Sequence, residues 1–425
     1  MAKHKITKTI YVYADWAELG ECQWMGTLQA SVVRGKEVFS FEYEKAWLSS
    51  VYAQVLDPDL QLYSGPQYLA GEEKNNFGVF LDSSPDRWGR VLMRRLEAAM
   101  ARKEGRPEQR LLESDYLLGV YDGHRMGALR FKLSLDGPFL NDNREMATPP
   151  WTALRELAYA SQKLEEDDIS QDEEYLKWLS LLVAPGSSLG GARPKAGVTD
   201  EKGRLWIAKF PSRNDSRDMG AWEMVVQELA MMAGISMAEA RVERYASRQH
   251  TFLTKRFDRT EKGERIHFAS AMTLLGYHDG IDYQDGVSYL ELAEFISRQG
   301  AAPEKDLEEL WRRILFSIYV SNTDDHLRNH GFILTPLGWR LSPAYDLNPV
   351  ETGAGLKLNI TEEDNALDPE LALATADYYR LSDKQAAAIQ QQIKEAVGKW
   401  RSIAGKHNIP KADQDLMAPA FRLVP

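Results

Sequence analysis

Asp324, Asn329 and Asp346 are of the residue types, and stand at the spacings, that move a phosphoryl group. Such a transfer needs a carboxylate to orient the attacking hydroxyl and take its proton. It also needs a neutral amide and a second carboxylate to hold Mg²⁺ against a triphosphate, because hard cations prefer oxygen ligands. Asp324 suits the first task; Asn329 with Asp346 suits the second. The D-x-x-x-x-N pattern alone is ordinary loop chemistry, since Asp and Asn favour turns. A hairpin and then another Asp come directly after it in the chain, and that order weighs toward catalysis.

The elements around these residues are legible. An apolar run from Trp311 to Val320 has helical spacing (Trp311, Leu315, Ile318, Tyr319) and leads into Asp324. Gly331–Leu334, the corner Thr335-Pro336-Leu337-Gly338 and Trp339-Arg340-Leu341 form a hairpin pattern. Asn329 enters that hairpin and Asp346 lies just past its exit, so both side chains can meet at one end. Upstream, Pro185 to Lys195 holds three glycines and two serines, a turn whose N–H groups can wrap phosphates, without the G-K-[ST] ending of a Walker A loop. A plain connecting loop is the alternative. Next come strands 196–198 and 205–210, the second carrying Lys209 among apolar residues. A glycine loop before a strand lysine is the order of protein-kinase N-lobes, where the lysine holds nucleotide phosphates. A lysine snorkelling from a sheet edge is the rival reading. The helix from Met219 to Ala233 offers Glu223 as the lysine's partner, or a plain surface glutamate.

Length and composition bound the rest. At about 150 residues per domain, 425 residues suggest two to four domains. A hydrophobic share of 44% with 27% charged residues describes a soluble globular chain. The net charge of −11 excludes a surface that binds nucleic acid throughout, while leaving room for a local patch. The single cysteine, Cys22, excludes a disulfide framework and a cysteine metal site, and reads as a small core residue in a reducing compartment. The first residues show no signal peptide, and no run of about 18 apolar residues marks a membrane span. Residues 6 to about 80, Phe77–Leu81 included, read as strand-rich. Ser84 before Pro85 reads as the start of a basic helix from Asp86 to about Lys103, more a solvated face than a partner contact. Residues 135–150 read as a linker. The acidic stretches 165–168 and 172–174 read as exposed surface. From Phe268 on, helices predominate.

Taken together, Ser187–Lys195, Ile207–Ser212, Lys255–Arg259, Asn322–Asn329 and Ala344–Asp346 resemble the HipA family of bacterial serine/threonine kinase toxins. Residues 10 to 130 also resemble that family's N-terminal subdomain. The resemblance implies an α+β, two-lobed, protein-kinase-like fold with an N-terminal β-rich subdomain. Its expected divisions are an N-terminal subdomain over 1–135, an N-lobe-like region over 151–258 and a mainly helical C-lobe over 259–425. It implies ATP and Mg²⁺, with Asp324 catalytic and Asn329 and Asp346 on the metal. The implied nucleotide contacts are Ser187, Ser188, Gly190, Gly191, Lys195, Lys209, Arg256, Phe257, Asn329 and Asp346. Glu223 and His326 would support them, and Ser188 would be autophosphorylated. It further implies a cytoplasmic protein substrate such as an aminoacyl-tRNA synthetase, and a HipB-like helix-turn-helix antitoxin through which alone DNA is reached. Lys255 and the run Phe268–Met272 depart from the pattern of better-known members. Two alternatives stand beside this: a small-molecule phosphotransferase of the aminoglycoside or choline kinase type, and a non-catalytic antitoxin-docking module.

Overall fold

The computed structural model describes residues 7–69, 71, 73–143, 147–165, 176–179, 182 and 193–424. Ser187, Ser188, Gly190 and Gly191 lie outside the described residues, as does most of the predicted acidic surface stretch. The chain divides into two compact units, Met1–Ala208 with Asp258–His278, and Lys209–Phe257 with Asp279–Pro425.

The first unit is built on five strands: β1 (Thr7–Ala14), β2 (Gln23–Val33), β3 (Lys36–Tyr43), β4 (Gln67–Tyr68) and β5 (Leu129–Lys132). Their order is β4-β3-β2-β1-β5, every pairing antiparallel. Period-two alternation sends Ile10, Val12 and Ala14 of β1, and Phe39, Phe41 and Tyr43 of β3, to one buried face. Phe80 closes that core, its ring 5.5 Å from Phe41 and 6.0 Å from Phe131. Phe80 sits on a short helix, Gly78–Asp82, and not on a strand as the apolar run suggested. Asp57 decides this by accepting the Val79 N–H at 2.9 Å, which satisfies a donor at the helix start. The basic helix spans Arg87–Glu104; its cap is Asp86, which accepts the Gly89 N–H at 2.8 Å, and not Ser84. Two more neighbouring strands, β6 (Lys195–Thr199) and β7 (Leu205–Lys209), carry the chain toward the second unit.

Cys22 is exposed, against the core placement expected of it. It stands in the polar connection before β2, where no apolar face is available to cover it. Arg125 is the buried polar centre of this unit. Its guanidinium donates to the carbonyls of Ser83, Leu117, Val120 and Leu140 at 2.8–3.0 Å, and burial pushes it down to about 9. Four backbone carbonyls, most of them at helix ends, are thereby satisfied by one side chain.

In the second unit the helix Met219–Met232 starts on Asp218, which accepts the Ala221 N–H. Strands β8 (Ala240–Glu243) and β9 (Thr251–Lys255) pair antiparallel. The remainder is mainly helical, as expected: Tyr289–Gln299, Pro303–Val320, Asp383–Val397 and Trp400–Lys406. Between them lies the predicted hairpin, Gly331–Thr335 with Gly338–Leu341. Trp222, Trp400 and Phe421 stack in the core, the last two with centroids 4.5 Å apart. Among the described residues no helix is long and apolar enough to cross a membrane.

His267 makes the first unit acid-sensitive. It is buried beside the Trp16 ring, and burial pushes its imidazole down to about 3 from 6.5. A folded value below the unfolded one gives stability that is complete above pH 6.5 and lost as pH falls through the folded value. One proton per chain corresponds to a loss of about 1.4 kcal/mol for each pH unit between those limits. Urea melts from pH 7 to 4 should show this slope in the wild type and a shallower one in His267→Gln.

Candidate active site

Lys209 ends β7, and its ammonium lies between two carboxylates: Glu223 Oε1 at 2.5 Å and Asp346 Oδ1 at 2.7 Å. Glu223 is the fifth residue of the helix Met219–Met232, turned to the buried side with Trp222, Val225 and Val226. The helix end fixed by Asp218 and the strand end are thus joined through one cation. Burial works against the lysine's charge, but Asp346 and Glu223 outweigh it and raise the ammonium above its ordinary range. The Phe252 ring stands 5.6 Å from the same ammonium. The strand lysine and helix glutamate anticipated from the sequence are therefore in contact.

The loop with Asp324 continues directly from helix Pro303–Val320. Ser321 ends that helix in the left-handed conformation (φ 51°), which reverses the chain. Its hydroxyl donates to the Ala420 carbonyl at 2.8 Å. Asp324 is exposed at the loop surface, whereas Asp325, Asn329 and His330 are buried. Asn329 spends its amide nitrogen on the Asp324 carbonyl at 3.0 Å. Its Oδ1 is buried and has no hydrogen-bond partner among the described residues. A buried amide oxygen without a donor is costly unless something else occupies its lone pairs. His326 is half-buried, with Nδ1 likewise lacking a partner among the described residues.

Asp346 also takes a left-handed backbone (φ 60°), uncommon outside glycine and best tolerated by Asp and Asn. Two ties hold its segment to the Asp324 loop. Asn322 accepts the Asn348 N–H at 3.2 Å, and Asn348 in turn donates to Asp346 Oδ1 at 3.2 Å. The Tyr345 hydroxyl donates to the Arg328 carbonyl at 2.7 Å, one residue from Asn329. Gly353 lies close against the loop: a Cβ there would stand 2.2 Å from Thr323 Cγ2, so a larger residue would force the Thr323 side chain to move.

An amide oxygen with an open buried face and a nearby-tethered carboxylate make a hard-oxygen donor set, which suits Mg²⁺. No cluster of three or more His, Cys, Asp or Glu among the described residues could hold a metal by itself.

The other predicted residues are spread more widely. Arg256 is buried, and Phe257 stacks on Tyr345 with centroids 5.7 Å apart. Lys195 lies in the first unit, buried in an ion pair with Asp86 at 2.8 Å, the same carboxylate that caps the helix Arg87–Glu104. Its charge is therefore matched inside that unit. The four glycine-loop positions are outside the described residues. Sequence reading missed Asn322, Asn348 and Gly353. Asn322 and Asn348 stand within two residues of named site residues, whereas Gly353 gave no signal.

Mixed α+β architecture and an ammonium clasped by a helix glutamate and a loop aspartate are the marks of the protein-kinase-like class. The chain belongs to the HipA-like family: the model of the HipA-like C-terminal domain matches residues 187–401, half of the chain. It is similar to the "Putative kinase Y4dM" of Sinorhizobium fredii, 28% identical over 249 residues, covering 52% of this chain and 58% of that protein. It is similar also to the serine/threonine-protein kinase toxin HipA of Shewanella oneidensis, 28% identical over 149 residues, 30% of this chain and 34% of that one. The matches thus span less than two thirds of these relatives' lengths. In fold it is similar to a chain of the Shewanella oneidensis MR-1 complex of HipA, HipB and operator DNA, with a TM-score of 0.65 at 17% identity, covering 97% of this chain and 95% of that chain.

Removing the cation should expose how much this clasp carries. Lys209→Met leaves two carboxylates facing each other with nothing between them, which costs about 3 kcal/mol or more when one partner of a buried pair is deleted. Guanidinium unfolding of the two proteins at pH 7 should show that loss. The loss should shrink toward pH 4, because carboxylates with no cation take up protons more readily folded than unfolded.

Proposed function

We propose that this protein is an ATP- and Mg²⁺-dependent serine/threonine protein kinase. The observation that carries the reading is the Lys209 ammonium held between Glu223 and Asp346, together with the buried Asn329 Oδ1, which has no hydrogen-bond partner among the described residues. In this reading Lys209 turns its charge to the nucleotide phosphates, with Glu223 keeping it in place. Asn329 Oδ1 and Asp346 would hold Mg²⁺, which would supply positive charge against the transferring phosphoryl group. Asp324, exposed to an incoming protein, accepts the proton of the attacking hydroxyl. The new O–P bond forms as the bond between the γ-phosphorus and ADP breaks, and ADP leaves with the pair of electrons.

The similarity to HipA supports a finer form of the proposal. The protein acts as the toxin of a toxin–antitoxin pair, on a cytoplasmic protein of translation, and a DNA-binding antitoxin of the HipB kind restrains it. Ser188 is its own acceptor. A phosphate there adds about 1.5 to 2 negative charges, which repel a triphosphate from the same loop.

Asp324→Ala separates chemistry from binding, because Asp324 would touch the acceptor and not the nucleotide. Incubated with ATP and Mg²⁺, the wild type should gain phosphate mass within residues 186–195. Asp324→Ala should gain none while binding nucleotide as tightly in a calorimetric titration; equal phosphorylation of the two contradicts the assignment. Asp346→Asn, chosen because Asn also tolerates the left-handed backbone, should need a higher Mg²⁺ concentration for ATP binding. An unchanged Mg²⁺ requirement contradicts the metal assignment.

A further inference from the structure

Asp325 and His330 of the active-site loop, and Tyr289 packed against them, have no task in the phosphoryl-transfer mechanism. Asp325 comes next after Asp324 and points the other way: Asp324 is exposed, Asp325 only 2% so. Its Oδ2 accepts the Tyr289 hydroxyl at 2.7 Å, and its Oδ1 lies 3.1 Å from His330 Nε2. The Tyr289 and His330 rings meet edge to face at 5.6 Å. Burial opposes the carboxylate's charge, but the neighbouring His330 and the hydrogen bond from Tyr289 outweigh it and hold the group below its usual range.

Placement gives these contacts a purpose. Tyr289 is the first residue of the helix Tyr289–Gln299, whose start is fixed by a capping box between Ser288 and Glu291. Its hydroxyl is therefore delivered from a rigid element. His330 comes after Asn329 and precedes the first hairpin strand. The Asp325–His330 contact thus joins the residue after Asp324 to the residue after Asn329. The hydrogen bond from Asn329 to the Asp324 carbonyl lies within the ring so closed. A buried carboxylate costs several kcal/mol of desolvation and is offset only with every partner in place, so such a network favours one geometry.

We propose that Tyr289, Asp325 and His330 form a buried brace that sets the spacing of Asp324 and Asn329, which makes Tyr289 and His330 positioning residues for phosphoryl transfer. The proposal rests on the kinase reading of the site. It differs from simple core packing in what it predicts. The brace acts on the geometry of the reacting groups, so its loss lowers the rate of transfer and leaves ATP capture by Lys209 intact.

The test uses the full chain and four proteins: wild type, Tyr289→Phe, His330→Ala and His330→Gln. Initial rates of autophosphorylation are measured against ATP concentration with Mg²⁺ in excess, at a temperature where circular dichroism shows each protein folded. Tyr289→Phe is the deciding variant, since it removes one oxygen and keeps the ring. Tyr289→Phe and His330→Ala should each lower the maximal rate about tenfold or more, with the KM for ATP within about twofold, as expected for misplaced reacting groups. His330→Gln, whose side-chain nitrogen reaches the place of Nε2, should recover most of the rate lost in His330→Ala. The proposal is overturned if Tyr289→Phe keeps the wild-type rate, if His330→Gln is as slow as His330→Ala, or if KM rises in step with the lost rate. A wild type that transfers no phosphate means the kinase reading has failed and the brace with it, so the two failures are told apart by the wild-type measurement alone.

Discussion

The second unit is organised around one shared cation. Lys209 stands between Glu223 and Asp346 and balances both carboxylates. The three residues come from a strand end, a helix and the segment after a hairpin, so the ion pair closes only when all three elements are in place. That requirement accounts for much of the surrounding structure. Asp218 fixes where the Glu223 helix begins, and Asn348 donates to the same Asp346 Oδ1 that meets Lys209. A cation so placed is also the right partner for a polyphosphate, whose oxygens can replace one of the carboxylates without any change of sign.

A second constraint is the path of the backbone. Two non-glycine residues in the left-handed region, Ser321 and Asp346, flank the segment that carries Asp324 and Asn329. Each turns the chain sharply where a regular element would carry it past the site. Ser321 is anchored through the Ala420 carbonyl, with Arg422 donating to its hydroxyl at 3.1 Å, so residues near the C-terminus help to hold the turn. Gly353 also approaches Thr323 closely, where a Cβ would meet its Cγ2. Backbone strain held by surrounding contacts in this way is a feature of functional sites.

Much of this was legible in the sequence because it is local. The apolar period of Trp311–Val320, the Pro-Gly corner of the hairpin and the D-x-x-x-x-N spacing each announce themselves within a dozen residues. The Lys209–Glu223 contact was inferred from order along the chain and is present. What could not be read depends on partners far away. Phe77–Leu81 has the composition of a strand, yet Asp57, 22 residues before Val79, caps it as a helix. Cys22 has the composition of a core residue, yet lies exposed in the polar connection before β2. Tyr289 carries no mark at all, since its hydroxyl matters only because helix Tyr289–Gln299 brings it to Asp325.

If Lys209 is the residue that receives nucleotide phosphates, a lysine-reactive acyl-phosphate derivative of ATP should label it in the folded wild-type protein. Peptide mapping by mass spectrometry reads every lysine of the chain at once, so the remaining lysines serve as internal controls. The account predicts that Lys209 is labelled ahead of the exposed lysines, and that excess ATP with Mg²⁺ protects it and leaves the exposed lysines unchanged. Labelling spread over surface lysines, with Lys209 unmodified or unprotected by ATP, would contradict it.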